Sequence, residues 1–439
     1  MNEAHNEFVD YKKATALFST MGWQMPDYQP KIVHKPSLDA DFRFEKQRII
    51  VSTPEKVYPA VTKYWRDFFT DQLREGSYTA AIPERCLMID IGRKFYSLMD
   101  LKAVVRRKAC FQFTHLQLHF SENEGFRIES EQFPEIVSGE YLTKQEIREL
   151  IAYAHEHRIA IIPDFDSPGH LRQVLAQKPE WQLPTADGTR DDRALNILDS
   201  EAVAFIQEVY REYAQLFEDS TYFHIGADEF IDFDHLENFP QMIEAARERY
   251  GEKASGIEVF IDYVNELAAF VESLGFVVRV WNDGFYRLNR QEQTTLTENC
   301  QISYWTRWNQ NMAPADVFFE KGYTMINHND NFFYYVLGEA AGYTYPTYEK
   351  ISNEFQLTTF ANGQQVAQEQ LAQTQAIALS VWADVPEAQT SREVIQAIFW
   401  LQAAIAQKVY QEKDRPKAAF QKLFDTWVVS YLEEEQRGK

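Results

Sequence analysis

Two adjacent carboxylates, Asp228 and Glu229, are the side chains of this sequence best placed to do chemistry. They directly follow the apolar run Tyr222-Phe223-His224-Ile225-Gly226-Ala227, in which the glycine permits close approach of other groups. Two neighbouring carboxyls at a site of low dielectric cannot both ionise freely, so we expect one pKa to be raised toward neutrality. That carboxyl would act as a general acid, and its ionised neighbour would hold a substrate group by a charge-assisted hydrogen bond.

Carboxylates, tryptophans and a few basic side chains also follow several other short apolar runs. Carboxylates accept hydrogen bonds from sugar hydroxyls, and indole faces pack against the apolar C–H faces of a pyranose ring. The mixture therefore indicates a neutral, hydroxyl-rich ligand. These residues are Arg93, Glu122, Asp164, Asp166, His170, Trp281, Asp283, Trp305, Trp308, Trp382 and Asp384.

A metal site is a competing interpretation of the histidines. His115 and His119 lie four apart on a predicted strand and hence on one face, and His170 and His224 lie in or after other runs. Metallohydrolase barrels usually begin with a His-x-His pair, which this spacing does not give. We therefore expect no metal and no other cofactor, with His115 and His119 as interior histidines that have polar partners. Nucleophile-elbow, P-loop and dinucleotide-binding signatures are absent.

The elements that must position these side chains form an alternating pattern. Eight apolar runs read as strands, and amphipathic helical patterns follow most of them. This alternation predicts an α/β fold, namely a parallel (β/α)8 TIM barrel. In such a barrel the reactive groups lie at the carboxyl ends of the strands. We also expect irregular crossovers after the sixth and seventh strands. The strands are predicted at 86–92, 114–120, 159–165, 222–227, 277–282, 301–306, 324–329 and 376–383, and the helices at 98–111, 143–157, 201–217, 256–274 and 392–410.

The first 80 residues do not follow this alternation. They contain helical runs near 11–21 and 54–73 and an apolar segment at 48–52. We therefore predict a small, partly helical N-terminal extension (1–80) on a catalytic barrel with C-terminal helices (81–439).

Composition narrows the range of partners. The 439 residues contain 66 Asp and Glu against 44 Lys and Arg, a net charge of −22, which disfavours nucleic acid and anionic membrane surfaces. Three widely spaced cysteines do not form a disulfide framework, and the polar N-terminus lacks the layout of a secretory signal. We expect a soluble, cytoplasmic protein whose partner is a small molecule; the oligomeric state is left open.

Four ordered motifs resemble glycoside hydrolase family 20, the β-N-acetylhexosaminidases, over residues 85–410. The motifs are Met88-Ile89-Asp90-Ile91-Gly92-Arg93, residues 115–127 (HLQLHFSENEGFR), residues 163–170 (PDFDSPGH) and residues 224–229 (HIGADE). The resemblance implies an exo-acting, retaining hydrolysis of terminal β-linked GlcNAc or GalNAc in small glycans, without a metal. In this mechanism the 2-acetamido oxygen of the substrate attacks the anomeric carbon and gives an oxazolinium intermediate.

Residue roles follow from the same resemblance. Glu229 matches the general acid/base, and Asp228 the residue that orients the acetamido N–H. Tyr334 or Tyr335, with Tyr334 preferred, matches the hydroxyl on the acetamido oxygen. The remaining matches are aromatic walls at Trp281, Trp305 and Trp382, an arginine for the 3- and 4-hydroxyls at Arg93, and a supporting polar pair of His170 and Glu122.

This chain departs from the family pattern in three places, of which the first two concern recognition of the 4- and 6-hydroxyls of the sugar. Many members have Tyr-x-Asp where this chain has Tyr334-Tyr335-Val336, and others have Trp-x-Glu where it has Trp382-Ala383-Asp384. Position 122 is Glu in place of the usual Asp. The preference for GlcNAc, GalNAc or a larger unit such as lacto-N-biose therefore stays open. Two further alternatives are a two-carboxylate glycosidase with Asp164 or Asp283 as partner, and a sugar-binding protein on an inactive barrel.

Overall fold

The computed structural model describes residues 2–412 and 415–437; the remaining positions of the predicted extension and barrel (1, 413, 414, 438 and 439) lie outside the described residues. Within the described part, eight parallel strands close into a barrel, because the seventh strand pairs with both the sixth and the eighth. The predicted (β/α)8 barrel is confirmed. In chain order its strands are Glu84–Asp90, His115–His119, Ala160–Ser167, Tyr222–Gly226, Val277–Trp281, Gln301–Tyr304, Met325–Asn327 and Thr374–Trp382.

The barrel strands are buried on both faces. All seven residues of the first strand are buried, since helices cover its outer face and side chains fill the barrel interior. The strand register also sets a polar layer near the carboxyl ends: Asp90 pairs with His119, His119 with Asp164, and Asp164 with His224. Chemistry-bearing residues from four strands therefore reach the same level of the barrel.

Long helices return the chain after most strands. The helix Lys144–Glu156 begins with the capping box that Thr143 and Glu146 predict, in which each side chain bonds the backbone N–H of the other residue. Equivalent boxes start the helices after the first and the eighth strand. The main helices of the barrel are Leu98–Cys110, Lys144–Glu156, Ser200–Leu216, Pro240–Tyr250, Ile257–Ser273, Ser391–Val409 and Gln421–Arg437.

The crossovers after the sixth and seventh strands are irregular, as predicted. They contain only the short helices Ala315–Glu320, Asp330–Phe333 and Tyr348–Glu354 as α-helix. A further three-residue strand, Tyr334–Val336, pairs in parallel with the eighth barrel strand, which the sequence did not predict. This side of the barrel thus places loops and an added strand around the carboxyl ends.

The N-terminal extension combines two helices with a small sheet. The helices Asn2–Thr20 and Val57–Phe69 overlap the predicted helical runs, whereas a four-stranded sheet was not predicted. Buried side chains of the extension belong to the same hydrophobic cluster as those of the barrel, and the buried Asp67 pairs with Arg415 at 3.0 Å. The strands of the sheet are Lys31–His34, Phe42–Glu45, Arg48–Val51 and Gly76–Tyr78. In the described residues no helix has the length and apolar character needed to span a bilayer.

Candidate active site

A pocket of about 420 Å³ lies at the carboxyl ends of the barrel strands. It brings together most of the side chains that the sequence singled out, although they come from distant parts of the chain. The pocket is lined by Arg93, Glu122, His170, Asp228, Glu229, Trp305, Trp308, Tyr334, Val336, Ala341, Tyr343, Trp382 and Asp384.

Aromatic rings form one wall of the pocket. The ring of Trp305 stacks on that of Tyr334, with centroids 5.6 Å apart and planes 5° from parallel. The ring centroid of Trp382 lies 5.9 Å from that of Tyr334. Trp281 is buried behind Trp382, with the two ring centroids 5.9 Å apart. Trp281 therefore supports the wall rather than lining the cavity, whereas the other two predicted tryptophans line it.

The carboxylate pair stands on a strained turn after the fourth strand. Gly226 has φ +75°, and a Cβ there would lie 2.4 Å from Oδ1 of Asp166, so only glycine fits. Glu229 also has a positive φ, 43°, and its backbone N–H donates to Oδ2 of Asp283 at 2.9 Å. The other oxygen of Asp283 accepts from Nε1 of Trp305 at 3.1 Å. Asp283 thus fixes both the turn and the aromatic wall.

The two adjacent carboxyls occupy different environments. Asp228 is buried, and burial together with the nearby Asp166 raises its pKa well above the ordinary value, although His170 opposes this. The side chain of Glu229 is 48% exposed at the rim of the pocket. The expected raised pKa therefore belongs to Asp228, whereas the resemblance assigns the general-acid role to Glu229. The pKa argument and the resemblance therefore point to different carboxyls as the general acid.

A charged network connects the sugar-facing arginine with the carboxylate pair. Nη1 of Arg93 lies 2.9 Å from Oδ2 of Asp90, and Nη2 lies 2.6 Å from Oε1 of Glu122. The same oxygen of Glu122 lies 2.6 Å from Nδ1 of His170, whose Nε2 faces Asp228 at 3.5 Å. The predicted pair of His170 and Glu122 is in place.

Neighbouring opposite charges determine the pKa values of Glu122 and His170 in this network. Burial alone would raise the pKa of Glu122, but the charges of His170 and Arg93 lower it to about 2. Burial disfavours the charged form of His170, yet Glu122 and Asp228 raise its pKa well above the ordinary value. Arg93, Glu122 and His170 are therefore all charged at neutral pH.

A second acidic layer lies directly beneath the pocket. Oδ2 of Asp164 is 3.1 Å from Nδ1 of His119, and Oδ1 is 3.4 Å from Nδ1 of His224. Burial and the neighbouring acids raise the pKa of Asp166 to about 7, although His119 opposes this. At the other end of the strand His115–His119, Nδ1 of His115 lies 2.8 Å from the Thr114 hydroxyl. The two predicted interior histidines thus have polar partners.

Two sets of three side chains in the described residues have the atom types and proximity of metal ligands. They are His119, Asp164 and Asp166, and Glu122, Asp166 and His170, with possible ligand atoms within 4.8 Å of one another. Arg93 pairs with Glu122, and Gln117 donates a hydrogen bond to Asp164 at 2.7 Å. These partners already occupy some of the carboxylate oxygens that would bind a metal. That the protein uses no metal stays a prediction.

The two candidate tyrosines point in opposite directions, as neighbouring residues of a strand do. Tyr334 lines the pocket, whereas the hydroxyl of Tyr335 donates to Oε1 of Gln389 at 2.9 Å and its ring stacks on Tyr345. The prediction that Tyr335 contacts substrate does not fit this position. Asp384 lines the pocket as predicted.

Ala341 and Tyr343 line the pocket but were not predicted, because the conformation of the backbone, rather than a sequence motif, places them there. Ala341 has φ 53° in the loop 337–342, where Gly338 and Glu339 also have positive φ. Tyr343 follows this loop, and its hydroxyl lies 3.2 Å from Oδ2 of Asp330. The glycines at both ends of Leu337-Gly338-Glu339-Ala340-Ala341-Gly342 were the available signal for a tight loop.

Comparisons with known proteins agree with this geometry. The family model for the glycosyl hydrolase family 20 catalytic domain matches residues 83–413. A lacto-N-biosidase from Bifidobacterium bifidum is 28% identical over 280 residues, which are 64% of this chain and 24% of that protein. A beta-hexosaminidase from Vibrio furnissii is 31% identical over 177 residues, 34% of this chain and 29% of that protein. This chain thus spans about a quarter of the length of each of these curated relatives.

Solved structures share the fold. The exo beta-N-acetylglucosaminidase from Vibrio harveyi, solved with N-acetylglucosamine, has a TM-score of 0.74 at 16% identity, covering 99% of this chain and 73% of that one. Dispersin B has a TM-score of 0.60 at 24% identity, covering 74% of this chain and 99% of that one. At these identities the structures support the architecture, and the site must be judged by its own side chains.

Proposed function

The chain belongs to glycosyl hydrolase family 20, and from this premise we propose that it is an exo-β-N-acetylhexosaminidase. It would remove terminal β-linked GlcNAc or GalNAc from small glycans. The observation that carries the proposal is the contrast within one pocket between a buried Asp228 beside an aromatic wall and a half-exposed Glu229 at the rim. A ring held inside would place its acetamido group at Asp228 and its glycosidic oxygen at Glu229.

The proposed reaction uses the substrate amide as nucleophile. Asp228 accepts the acetamido N–H, the Tyr334 hydroxyl donates to the acetamido oxygen, and this oxygen attacks the anomeric carbon from within the same molecule. Such an intramolecular group has a very high effective concentration, so no protein nucleophile is needed. Glu229 donates a proton to the leaving oxygen and then removes one from the water that opens the oxazolinium intermediate. The anomeric configuration is retained.

The alternative with a second catalytic carboxylate fits the geometry less well. Asp164 lies beneath the pocket between two histidines, and Asp283 accepts hydrogen bonds through both oxygens. Neither residue lines the cavity. Among the named candidates, neither carboxylate is therefore positioned to attack a sugar ring in this pocket.

The direct test is hydrolysis of 4-nitrophenyl β-GlcNAc and 4-nitrophenyl β-GalNAc by the full chain. We expect turnover of at least one substrate, its near-complete loss in Glu229→Gln, and inhibition by a thiazoline mimic of the oxazolinium. No turnover of either, or full activity in the variant, would overturn the proposal. Trapping of a covalent sugar ester would favour the two-carboxylate alternative, and calorimetric binding of GlcNAc without hydrolysis would favour a sugar-binding protein.

A further inference from the structure

Trp308 stands at the mouth of the pocket with most of its indole in solvent. It is 61% exposed, more than any other large hydrophobic side chain whose exposure the structure describes. Its ring lies 5.1 Å from that of Trp305, so it extends the aromatic wall outward from the cavity. An exposed indole that continues the aromatic wall of a cavity is placed to contact a ligand that projects from this cavity.

The loop that carries Trp308 is tied to the loop that carries the catalytic pair. Asp234, five residues after Glu229, accepts hydrogen bonds from Nδ2 of Asn309 at 2.6 Å and from Nδ2 of Asn311 at 3.0 Å. Arg287 completes the site of Asp234, with Nη2 2.7 Å from Oδ2. The loop that carries the exposed indole is thus held in a fixed position relative to Glu229.

Two further hydrogen bonds to backbone carbonyls hold the same loop. The N–H of Leu288 donates to the carbonyl of Asn311 at 2.8 Å, and Nε of Arg307 donates to the carbonyl of Met312 at 3.1 Å. A loop fixed in this way loses little conformational freedom when a ligand packs on the ring it carries, which favours binding. The arrangement is that of a rigid platform beside the cavity.

We propose that Trp308 is the binding platform for the sugar on the leaving side of the scissile bond. This inference rests on the proposed function, since Glu229 at the rim marks where the leaving oxygen must lie. A neutral, β-linked pyranose that projects from the pocket would place its C–H face on the exposed indole. The unit inside the pocket would depend far less on Trp308, because Trp305, Tyr334 and Trp382 line the same pocket and are more buried than Trp308.

The main competing role is structural, in which Trp308 only shields Trp305 from water. The two roles differ in which ligands they affect. A shield would influence every ligand of the cavity, whereas a platform would influence only ligands that extend beyond it. Trp308→Ala removes the platform, and Trp308→Phe is the matched control that keeps a smaller aromatic face.

The experiment is isothermal titration of full-length Glu229→Gln, alone and combined with each Trp308 variant. The ligands are diacetylchitobiose, which extends beyond the cavity, and the GlcNAc thiazoline, which does not. We expect Trp308→Ala to weaken disaccharide binding about tenfold, Trp308→Phe to weaken it less, and neither to change thiazoline binding. Unchanged disaccharide affinity, or equal weakening for both ligands, would overturn the proposal.

Kinetics of the Trp308→Ala variant that retains Glu229 distinguish failure of this proposal from failure of the proposed function. Trp308→Ala should lower kcat/KM for the disaccharide about tenfold more than it lowers kcat/KM for methyl β-GlcNAc. If the enzyme with Trp308 in place hydrolyses no substrate, the proposed function fails, and the titrations still decide the role of Trp308. Absence of any binding by Glu229→Gln would overturn both.

Discussion

Nδ1 of His170 lies 2.6 Å from Oε1 of Glu122, and this oxygen lies at the same distance from Nη2 of Arg93. One carboxylate oxygen therefore joins the residue expected to bind the outer hydroxyls of the sugar to the residue that faces Asp228 and Glu229. In the proposed reaction, Glu122 would therefore couple the position of the bound ring to the electrostatics of the reacting groups.

The first prediction concerns this coupling. Glu122→Gln removes the charge that most strongly raises the pKa of His170, so that pKa falls. His170 then loses its proton at a lower pH. Deprotonation of the general acid Glu229 also contributes to the alkaline limb of kcat/KM, but in this variant we expect deprotonation of His170 to set it, so the limb moves to lower pH. We also expect kcat/KM at the optimum to fall roughly 10²-fold, because Arg93 and His170 are both displaced. The measurement is the pH profile with an aryl glycoside.

Glu122→Asp serves as the control because it keeps the charge on a shorter arm. Its alkaline limb should lie closer to that of the unaltered enzyme than the limb of Glu122→Gln does. If both variants lose activity without any movement of the limb, Glu122 acts only through shape and the electrostatic argument is wrong.

The second prediction uses the neighbouring tyrosines as a matched pair. Tyr334→Phe removes a hydroxyl in the pocket and should lower kcat about 10²-fold, as loss of one transition-state hydrogen bond does. Tyr335→Phe removes the hydrogen bond to Gln389, so kcat should stay unchanged while the free energy of unfolding falls by about 1 kcal/mol. Steady-state kinetics and urea denaturation distinguish the two, and a reversed order would refute the assignment.

The third prediction concerns Asp228. Burial raises its pKa, so the carboxyl gains its proton, and loses its charge, well above the pH at which an exposed aspartate does. We expect this protonation to set the acid limb of kcat/KM. Asp228→Asn should lower kcat about 10²–10³-fold, weaken the thiazoline inhibitor and abolish the acid limb. An unchanged acid limb in the variant would assign it to another group.

The fourth prediction addresses the metal-like groups beneath the pocket. Because Glu122 already pairs with Arg93 and Asp164 already accepts a hydrogen bond from Gln117, we expect catalysis without a metal. Dialysis against EDTA should leave kcat and the thermal midpoint unchanged. A loss of activity restored by a divalent cation would contradict this and identify one of the two groups as its site.

The barrel was predictable because of burial. Strands covered on both faces appear as continuous apolar runs, so the predicted 222–227 and 277–282 match Tyr222–Gly226 and Val277–Trp281 almost to the residue. The strands of the extension have three or four residues and give a weaker signal: Arg48–Val51 coincides with the apolar segment at 48–52, whereas Lys31–His34 has no buried residue. The same shortness concealed Tyr334–Val336, where register decides which tyrosine enters the site.

The sequence predicted which residues form the site, but not which of its carboxyls is buried and has a raised pKa. Sequence places Asp228 and Glu229 side by side, yet only the folded turn, with φ 43° at Glu229, shows that one is buried and the other half-exposed. Likewise, Ala341 enters the wall through a positive φ and not through its chemistry. Solvation and backbone conformation are tertiary properties, and they govern these features.

The last prediction concerns stability at the opposite end of the barrel. Glu84 is buried, with Oε2 2.8 Å from Nη2 of Arg279 and Oε1 2.8 Å from Nε2 of Gln375. Burial alone would raise its pKa, but Arg279 and His115 lower it from 4.5 to about 2. A carboxyl whose pKa is lower in the folded state stabilises the fold fully above about pH 4.5, and this stabilisation is lost as pH falls toward 2.

Glu84→Gln should therefore lower the free energy of unfolding at pH 7 by about 3 kcal/mol, and the difference from the unaltered protein should shrink as pH falls from 4.5 toward 2. Urea denaturation at a series of pH values measures this. Adding Arg279→Met removes the charge left unpaired in the interior, so the double variant should recover part of the loss. A difference that stays constant down to pH 3 would show that the ionisation of Glu84 is not its source.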